Sequence, residues 1–527
     1  MDFNKIKLIF HTVKYLRFKQ IAYRLINNVR KRFSNKEYNQ QLKSNVEPIQ
    51  WSNTIEKFTS YSGNLEFCFL NIRHKFEGKI NWNYDDYGKL WTYNLNYFDF
   101  LNQSAIKQSE ALILMKDYVE RTEELKDGLE PYPISLRCIN WIKYLSKKKI
   151  QDEAINKSLY NQYLRLLDNL EYHILGNHLL ENGFSLLFGA YYFKDDVLYL
   201  KAKNIIEEEL EEQILKDGAH FELSPMYHQI ILDRVLDCIQ LIKLNSWKND
   251  DLLNLLKESS SKMLSWLDNV TFKNGDIPMV NDSAFQIAPS SEELLDYGTS
   301  LGINRKDIKL TDSGYRMFKN QKYELFMDMG GVKASYQPGH VHSDTFNFIL
   351  YKNNRPVFVD TGVSTYKKDD IRQKERATAS HNTVMLGEID QTEVWGGFRV
   401  ARRAKVFDLQ TGFNFLSAKH SGYKKNGYVH SRSFEWSENE ISIKDSLSKS
   451  SRNNAKAFFH FHSSINLSQI DNNTILIDSL GVVINFEKAS KIFIDEYKLS
   501  KGFNKSVLAY KIVVTFDHYL KTNINFK

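Results

Sequence analysis

Between Tyr336 and Trp395 the chain concentrates residues that could do chemistry. His340 and His342 open a run in which polar and apolar residues alternate. Asp360 ends the next apolar run, and His381 starts a third, His381-Asn-Thr-Val-Met-Leu386. In an extended chain successive side chains alternate between faces. His340, His342 and Asp344 therefore share the face of Phe346, Phe348 and Leu350, the one expected to be buried. Imidazoles that enter a buried face need partners, because unpaired polar groups there are costly. A metal is one such partner: two histidines and one aspartate from neighbouring strand ends, with water as fourth ligand, make a zinc set. The spacing is neither that of a zinc finger nor that of a helical H-E-x-x-H. Ordinary hydrogen bonding of strand-end residues to loops explains any one of these histidines as well.

The elements that must position these groups fall into two kinds. From about residue 90 to 300, apolar residues recur at intervals of three and four, over 105–121, 135–147, 157–174, 178–194, 196–214, 224–244 and 250–268, which predicts amphipathic helices. Short joints imply antiparallel hairpins, and seven or more of them predict an α/α toroid or solenoid whose joints line a cleft at one end. Several joints carry more than a connector needs: Leu90-Trp-Thr-Tyr-Asn-Leu-Asn-Tyr-Phe98, Pro131-Tyr-Pro-Ile-Ser-Leu-Arg137, Gly176-Asn-His-Leu-Leu-Glu-Asn-Gly183, Asp217 to His228, and Asp276 to Asp282. Asn177 sits near a helix cap position, and Ser224-Pro225 is a cap-and-first-turn pair. After about 312 the period becomes two, over 345–351, 356–360, 383–386, 432–444, 457–463, 475–486 and 508–516, which predicts an antiparallel β-sandwich. The fold class is thus α+β and multidomain. Residues 1–60 are a basic amphipathic segment and linker, 61–311 the helical toroid and 312–527 the sandwich, with the cleft at their interface.

The chain has 527 residues and a net charge of +7, and its first 33 residues hold nine Lys or Arg against Asp2 alone. The rest is close to neutral, so an anionic ligand requires a local cluster, and nothing points to nucleic acid. Residues 1–35 fit a basic amphipathic helix that either lies on an anionic membrane surface or packs on the domain behind it. Cys68, Cys138 and Cys238 lie in apolar surroundings without C-x-x-C pairing, which predicts buried thiols. No apolar run has the length of a membrane span, and the start lacks the pattern of a secretory signal. Both place the expected location in the cytoplasm, with membrane association through residues 1–35.

The motifs Gly176–Gly183, Asp217–His228, Pro338-Gly-His-Val-His-Ser-Asp344, Val359-Asp-Thr-Gly362, Ser380-His-Asn-Thr-Val384 and Glu393-Val-Trp-Gly-Gly397 occur in this order. Together they resemble the heparinase II/III-like polysaccharide lyases over about residues 85–465. The resemblance implies an (α/α) toroid followed by a β-sandwich, one bound zinc, and β-elimination on uronate-containing polysaccharide. It implies that Asn177 and His178 neutralise the uronate carboxylate, that Tyr227 is the catalytic tyrosine (base, acid or both), and that His340 is a second catalytic histidine. His342, Asp360 and His381 match the zinc ligands, and Tyr366 and Arg376 reach the cleft from a loop. A basic Tyr227 would need a positive field, for which His228, Arg376 and the metal are candidates. His173, His220, His228, His460 and His462 are read as structural, and Glu181 and Glu222 as supporting residues.

The absence of an export pattern and the basic start fit a variant concerned with making or trimming a bacterial capsule or surface polysaccharide. Two other functions stay open from the sequence. One is an inverting glycoside hydrolase on a toroid, using a carboxylate pair such as Glu181 and Glu222. The other is a non-catalytic glycan-binding or polysaccharide-assembly protein.

Overall fold

The computed structural model describes residues 3–33, 36–52, 55–248, 251–452 and 454–527. Two helices, α1 (Phe3–Val13) and α2 (Phe18–Phe33), open the chain. A small hairpin, Glu66–Phe69 with Ile72–Lys75, leads into the helical region. There follow α3 (Lys89–Tyr97), α4 (Gln108–Glu120), α5 (Pro131–Lys148), α6 (Glu153–Asp168), α7 (Gly176–Phe193), α8 (Asp196–Gln213), α9 (Pro225–Leu244), α10 (Leu252–Val270) and α11 (Ser291–Ser300). The helices from α4 to α10 match the seven periodic stretches in order, although α6 starts and ends earlier than the expected 157–174, stopping at Asp168. Two joints read as loops are helical instead. Leu90 to Tyr97 forms most of α3, with Phe98 its left-handed cap, and α5 starts at Pro131 itself, where a proline costs nothing because its missing N–H would be unpaired anyway.

The stretch 36–60 is not a free linker. Gln40 exchanges hydrogen bonds with Asn161 (2.7 and 3.0 Å), Gln50 with Asn245 (both 2.9 Å), and Lys57 pairs with Asp233 (2.9 Å). Polar side chains on the helices satisfy its backbone, a signal that hydropathy does not carry.

From Tyr315 onward the chain is antiparallel sheet. One four-stranded sheet runs Tyr315–Lys319, Tyr323–Asp328, Phe348–Lys352, Arg355–Phe358. A second four-stranded sheet runs Lys491–Ser500, Ser506–Phe516, Ala455–His460, Val384–Leu386. An eight-stranded sheet has Glu440–Leu447 and Tyr519–Phe526 near its centre. The sheets share one apolar core built from alternate residues, such as Ile441, Ile443, Ile475, Ile477, Ile512 and Val514. The expected strands 432–444 and 475–486 are each a hairpin, turning at 437–439 and 478–481.

One expectation fails at the motif itself. His340, His342 and Asp344 are not in a strand, which begins only at Phe348. Phe346 has φ +71°, a left-handed conformation that breaks the extended alternation. The loop it ends follows the rim of the helical region.

The helical and sheet regions meet along an apolar seam. Ala219, Leu223, Trp266, Val270 and Phe272 pack on Tyr315, Phe326, Ile349 and Tyr351, and Phe272 stacks on Tyr351 with centroids 4.0 Å apart. Asp217 caps the seam by accepting from Thr311 N (2.9 Å), Ser313 N (2.9 Å) and Ser313 Oγ (2.7 Å). Gly218 beside it has φ +88°, and a Cβ there would lie 2.2 Å from the Lys262 carbonyl oxygen, so only glycine fits.

Candidate active site

The helical region contributes two helix starts and one joint to the seam. Ser224 caps α9 by accepting from Tyr227 N (3.3 Å), which puts Tyr227 in the first turn facing the sheet region. The Tyr227 ring lies 4.0 Å, centroid to centroid, from the His340 imidazole, and its hydroxyl is 3.2 Å from that of Tyr366. These three groups, taken from separate elements, form one cluster.

α7 begins at Gly176 after Leu175, both with positive φ, so Asn177 is inside the helix and does not cap it. Its Nδ2 donates to Glu222 Oε2 (3.1 Å), leaving its own Oδ1 and Glu222 Oε1 buried without partners. His178 Nδ1 contacts Glu171 Oε1 (3.1 Å), its ring lies 4.6 Å from that of Tyr132, and the side chain is one-third exposed. Burial works against a charge on His178, but the Glu171 carboxylate more than compensates and raises its pKa above the ordinary value. Burial also raises the pKa of Glu222.

Asp282, in the joint after α10, ties these elements to the sheet region. Fully buried, it accepts from His340 Nδ1 (2.8 Å), His342 Nε2 (2.9 Å) and both terminal nitrogens of Arg372, which is likewise buried. The guanidinium and the imidazole N–H groups hold Asp282 well below the usual carboxylate range, despite burial acting in the opposite direction. An ionised carboxylate only accepts, so it fixes both tautomers. In the neutral rings the lone pair then falls on Nε2 of His340 and on Nδ1 of His342.

Behind this layer, His381 Nδ1 faces Asp360 Oδ2 (2.8 Å), which also accepts from Asn347 (2.6 Å). The His342 and His381 rings are 5.3 Å apart. His342 Nδ1, His381 Nε2 and Asp344 Oδ2 are all buried without a hydrogen-bond partner. Burial raises Asp344 to about 6.

The structure thus gathers Tyr227, His340, Tyr366, Asn177 and His178 around the seam, with His342, Asp360 and His381 beneath. Arg376 is the exception. Its guanidinium is fully buried and bonds the Val341 carbonyl (2.9 and 3.2 Å) and the Gly397 carbonyl (2.7 Å), so it braces the loop instead of reaching the cleft. The arginine at the site is Arg372, one helical turn earlier, with its guanidinium 4.9 Å from the Tyr366 ring. His228 supplies no field for Tyr227 either. It contacts the Met263 carbonyl (3.0 Å), and burial lowers its pKa to about 4. Burial, followed by the neighbouring Tyr366, pushes Tyr227 well above 10. As placed, it is a neutral phenol.

Residue types single out the joint Asp276–Asp282 but give no role to Asp282, nor to Arg372 or Glu171. Asp282 carried a usable signal, an acid ending the apolar stretch Ile277-Pro-Met-Val-Asn-Asp282, whereas nothing in the sequence separates Arg372 from Arg376. Glu181 is paired with Arg234 (2.8 Å) inside the helical core, so it is not a free carboxylate for hydrolysis.

Comparison with known proteins agrees with this architecture. The family description "Heparinase II/III N-terminus" matches residues 134–300, and "Heparinase II/III-like, C-terminal" matches 302–527. Curated heparin-sulfate lyases are similar in sequence. That of Bacteroides stercoris is 24% identical over 281 residues, 47% of this chain and 42% of the relative. That of Pedobacter heparinus is 23% identical over 339 residues, 57% and 48%. This chain spans less than half the length of these relatives. Among solved structures, a heparinase III aligns at TM-score 0.64 and 16% identity over 86% of this chain and 80% of that one. The Pedobacter heparinus heparan sulfate lyase aligns at 0.55 and 16%, over 88% and 82%. With both family descriptions matched in order, and the helical and sheet regions each in place, this chain belongs to the heparinase II/III family.

Proposed function

We propose that this chain cleaves uronate-containing acidic polysaccharide by β-elimination. One observation carries the reading: Tyr227, on the helical side of the seam with Asn177 and a histidine disposed to carry charge, lies against His340 on the other side, whose Nδ1 a buried aspartate holds. Elimination removes the proton next to the uronate carboxylate, and charge then builds on that carboxylate. His178 offers the positive charge and Asn177 the amide that meet it. The Asn177 amide nitrogen has two N–H groups: one donates to Glu222 Oε2 (3.1 Å), and the other meets the substrate carboxylate. His340 Nε2, the lone pair left open by Asp282, takes the proton. The neutral Tyr227 hydroxyl, bonded to Tyr366, gives one to the leaving glycosidic oxygen.

The reading includes one zinc ion. Among the described residues no three His, Cys, Asp or Glu side chains already surround a common metal position. The donor chemistry nevertheless fits, since His342 Nδ1, His381 Nε2 and Asp344 Oδ2 are buried orphans, and Asp360 pins His381 as carboxylates do behind zinc-bound histidines. His342 and His381 would hold the ion with the Asp344 carboxylate, while Asp360, the third member of the set the resemblance implies, would orient His381 from behind. It would supply positive charge and rigidity beneath the cleft.

The test is incubation with heparan sulfate, chondroitin, hyaluronan, alginate and the producing organism's own surface polymer. A lyase leaves ends with a conjugated double bond that absorbs in the ultraviolet, a hydrolase leaves saturated ends, and a binder leaves the polymer intact. Tyr227→Phe should lower the rate about 10²–10⁴-fold with little change in melting, since its hydroxyl bonds only Tyr366 among the contacts seen. Full activity in that variant would remove the mechanism.

A further inference from the structure

The two N-terminal helices leave a stripe of large apolar side chains uncovered. Helices on a globular surface turn their apolar stripe to the core. Here polar groups dock beside the half-buried Leu8, Ile9 and Tyr23, and a further apolar stripe on each helix faces water. Gln20 is fully buried and donates to the Ile174 carbonyl (2.9 Å), Asn27 contacts His173 (3.2 Å), and Arg30 reaches the Asp168 carbonyl (2.5 Å). On α1, Thr12 accepts from Trp395 Nε1 (3.1 Å). Outward lie Ile6, Phe10 and Val13 of α1 and Phe18, Ile21, Leu25 and Val29 of α2, each set at helical spacing of three and four. Phe18 is 85% exposed, Phe10 66% and Leu25 63%. Exposed Lys5, Lys14, Arg24 and Arg32 lie on or between the same helices, and residues 3–33 contain no acidic side chain.

We infer that this face seats the protein on an anionic phospholipid surface. Exposed aromatic and aliphatic side chains among unopposed cations are complementary to acyl chains below charged headgroups. A soluble acidic polysaccharide would satisfy the cations but offers nothing to the apolar stripes. The docked helices are also tied to the cleft. Arg17, between them, pairs with Glu212 and lies 4.0 Å over the ring of Tyr336, which opens the loop carrying His340 and His342. Seating on a membrane therefore sets the orientation of the cleft. The inference does not depend on the lyase reading.

The experiment is co-sedimentation of the full chain with vesicles of phosphatidylcholine alone or mixed equally with phosphatidylglycerol, with size-exclusion chromatography alongside. Wild type pellets with the anionic vesicles only, and salt weakens the binding. Phe18→Glu/Leu25→Glu and Lys14→Glu/Arg24→Glu each lower partitioning at least tenfold. The first pair sits mostly in water, so its melting curve matches wild type, and it keeps wild-type activity on soluble polymer. Three results overturn the inference: wild type stays in the supernatant; the apolar variant pellets like wild type; or wild type is a dimer that this variant dissociates without any vesicle binding, which would make the stripe a contact between two copies.

Discussion

Replacing Asp282 by asparagine changes one atom type at the point where the two halves of the site join. The carboxylate receives Arg372 on both oxygens and one N–H from each of His340 and His342, with no solvent contact. The amide keeps the shape but removes the charge and turns one acceptor into a donor aimed at other donors. Removing one partner of a buried ion pair costs about 3–5 kcal/mol, because the remaining charge is stranded. An asparagine still accepts on one oxygen, so the lower end of that range applies. The chemical effect is separate. His340 loses the acceptor that keeps its lone pair on Nε2, and a misassigned base costs about 10²–10⁴-fold in rate. The assay is initial rate by ultraviolet absorbance, well below the melting temperature, together with a thermal melt. Asp282→Glu, which restores charge but not position, should recover more stability than activity. An Asp282→Asn protein with kcat within about threefold of wild type refutes the tautomer argument, being far short of the loss a misplaced base entails, and an unchanged melt refutes the ion-pair argument.

Other predictions bear on neighbouring groups. The raised pKa of His178 keeps it protonated above pH 6.5; the stability from its pair with Glu171 is complete below 6.5 and fades as pH rises through the raised value. The rate should therefore fall on the alkaline side of 6.5, and Glu171→Gln should move that limb to lower pH; an unmoved limb contradicts the pairing. Purified protein should contain about one zinc per chain by elemental analysis, with His342→Ala and His381→Ala largely metal-free and Asp360→Asn binding about 10–100-fold more weakly. Full zinc content in both histidine variants excludes the site. Gly218→Ala, with its Cβ 2.2 Å from a carbonyl oxygen at φ +88°, should lose at least about 1–3 kcal/mol, read as a lower thermal midpoint; an unaltered melt would show that the seam yields there.

The order of elements was legible in the residues because periodicity is a local property. A repeat of three and four marks α4 to α10 whatever they pack against, and the change to period two after about 312 marks the sheets. Tyr227 and His340 could be singled out by their motifs, and the Ser224-Pro225 helix start already put Tyr227 on a first turn. Which side chains meet was settled by packing over long separations. Asp282 finds His340, His342 and Arg372 at 58, 60 and 90 residues' distance, and only the tertiary structure decides that Arg372 meets it while Arg376 holds backbone carbonyls. The same limit applies to the first 33 residues, where the sequence determined that the helices have an apolar and a basic side but not which side faces the body. Hydrogen bonds from Gln20 and Asn27 decided that, because a few well-placed polar partners on a neighbouring surface outweigh a hydropathy pattern that carries no information about what lies opposite.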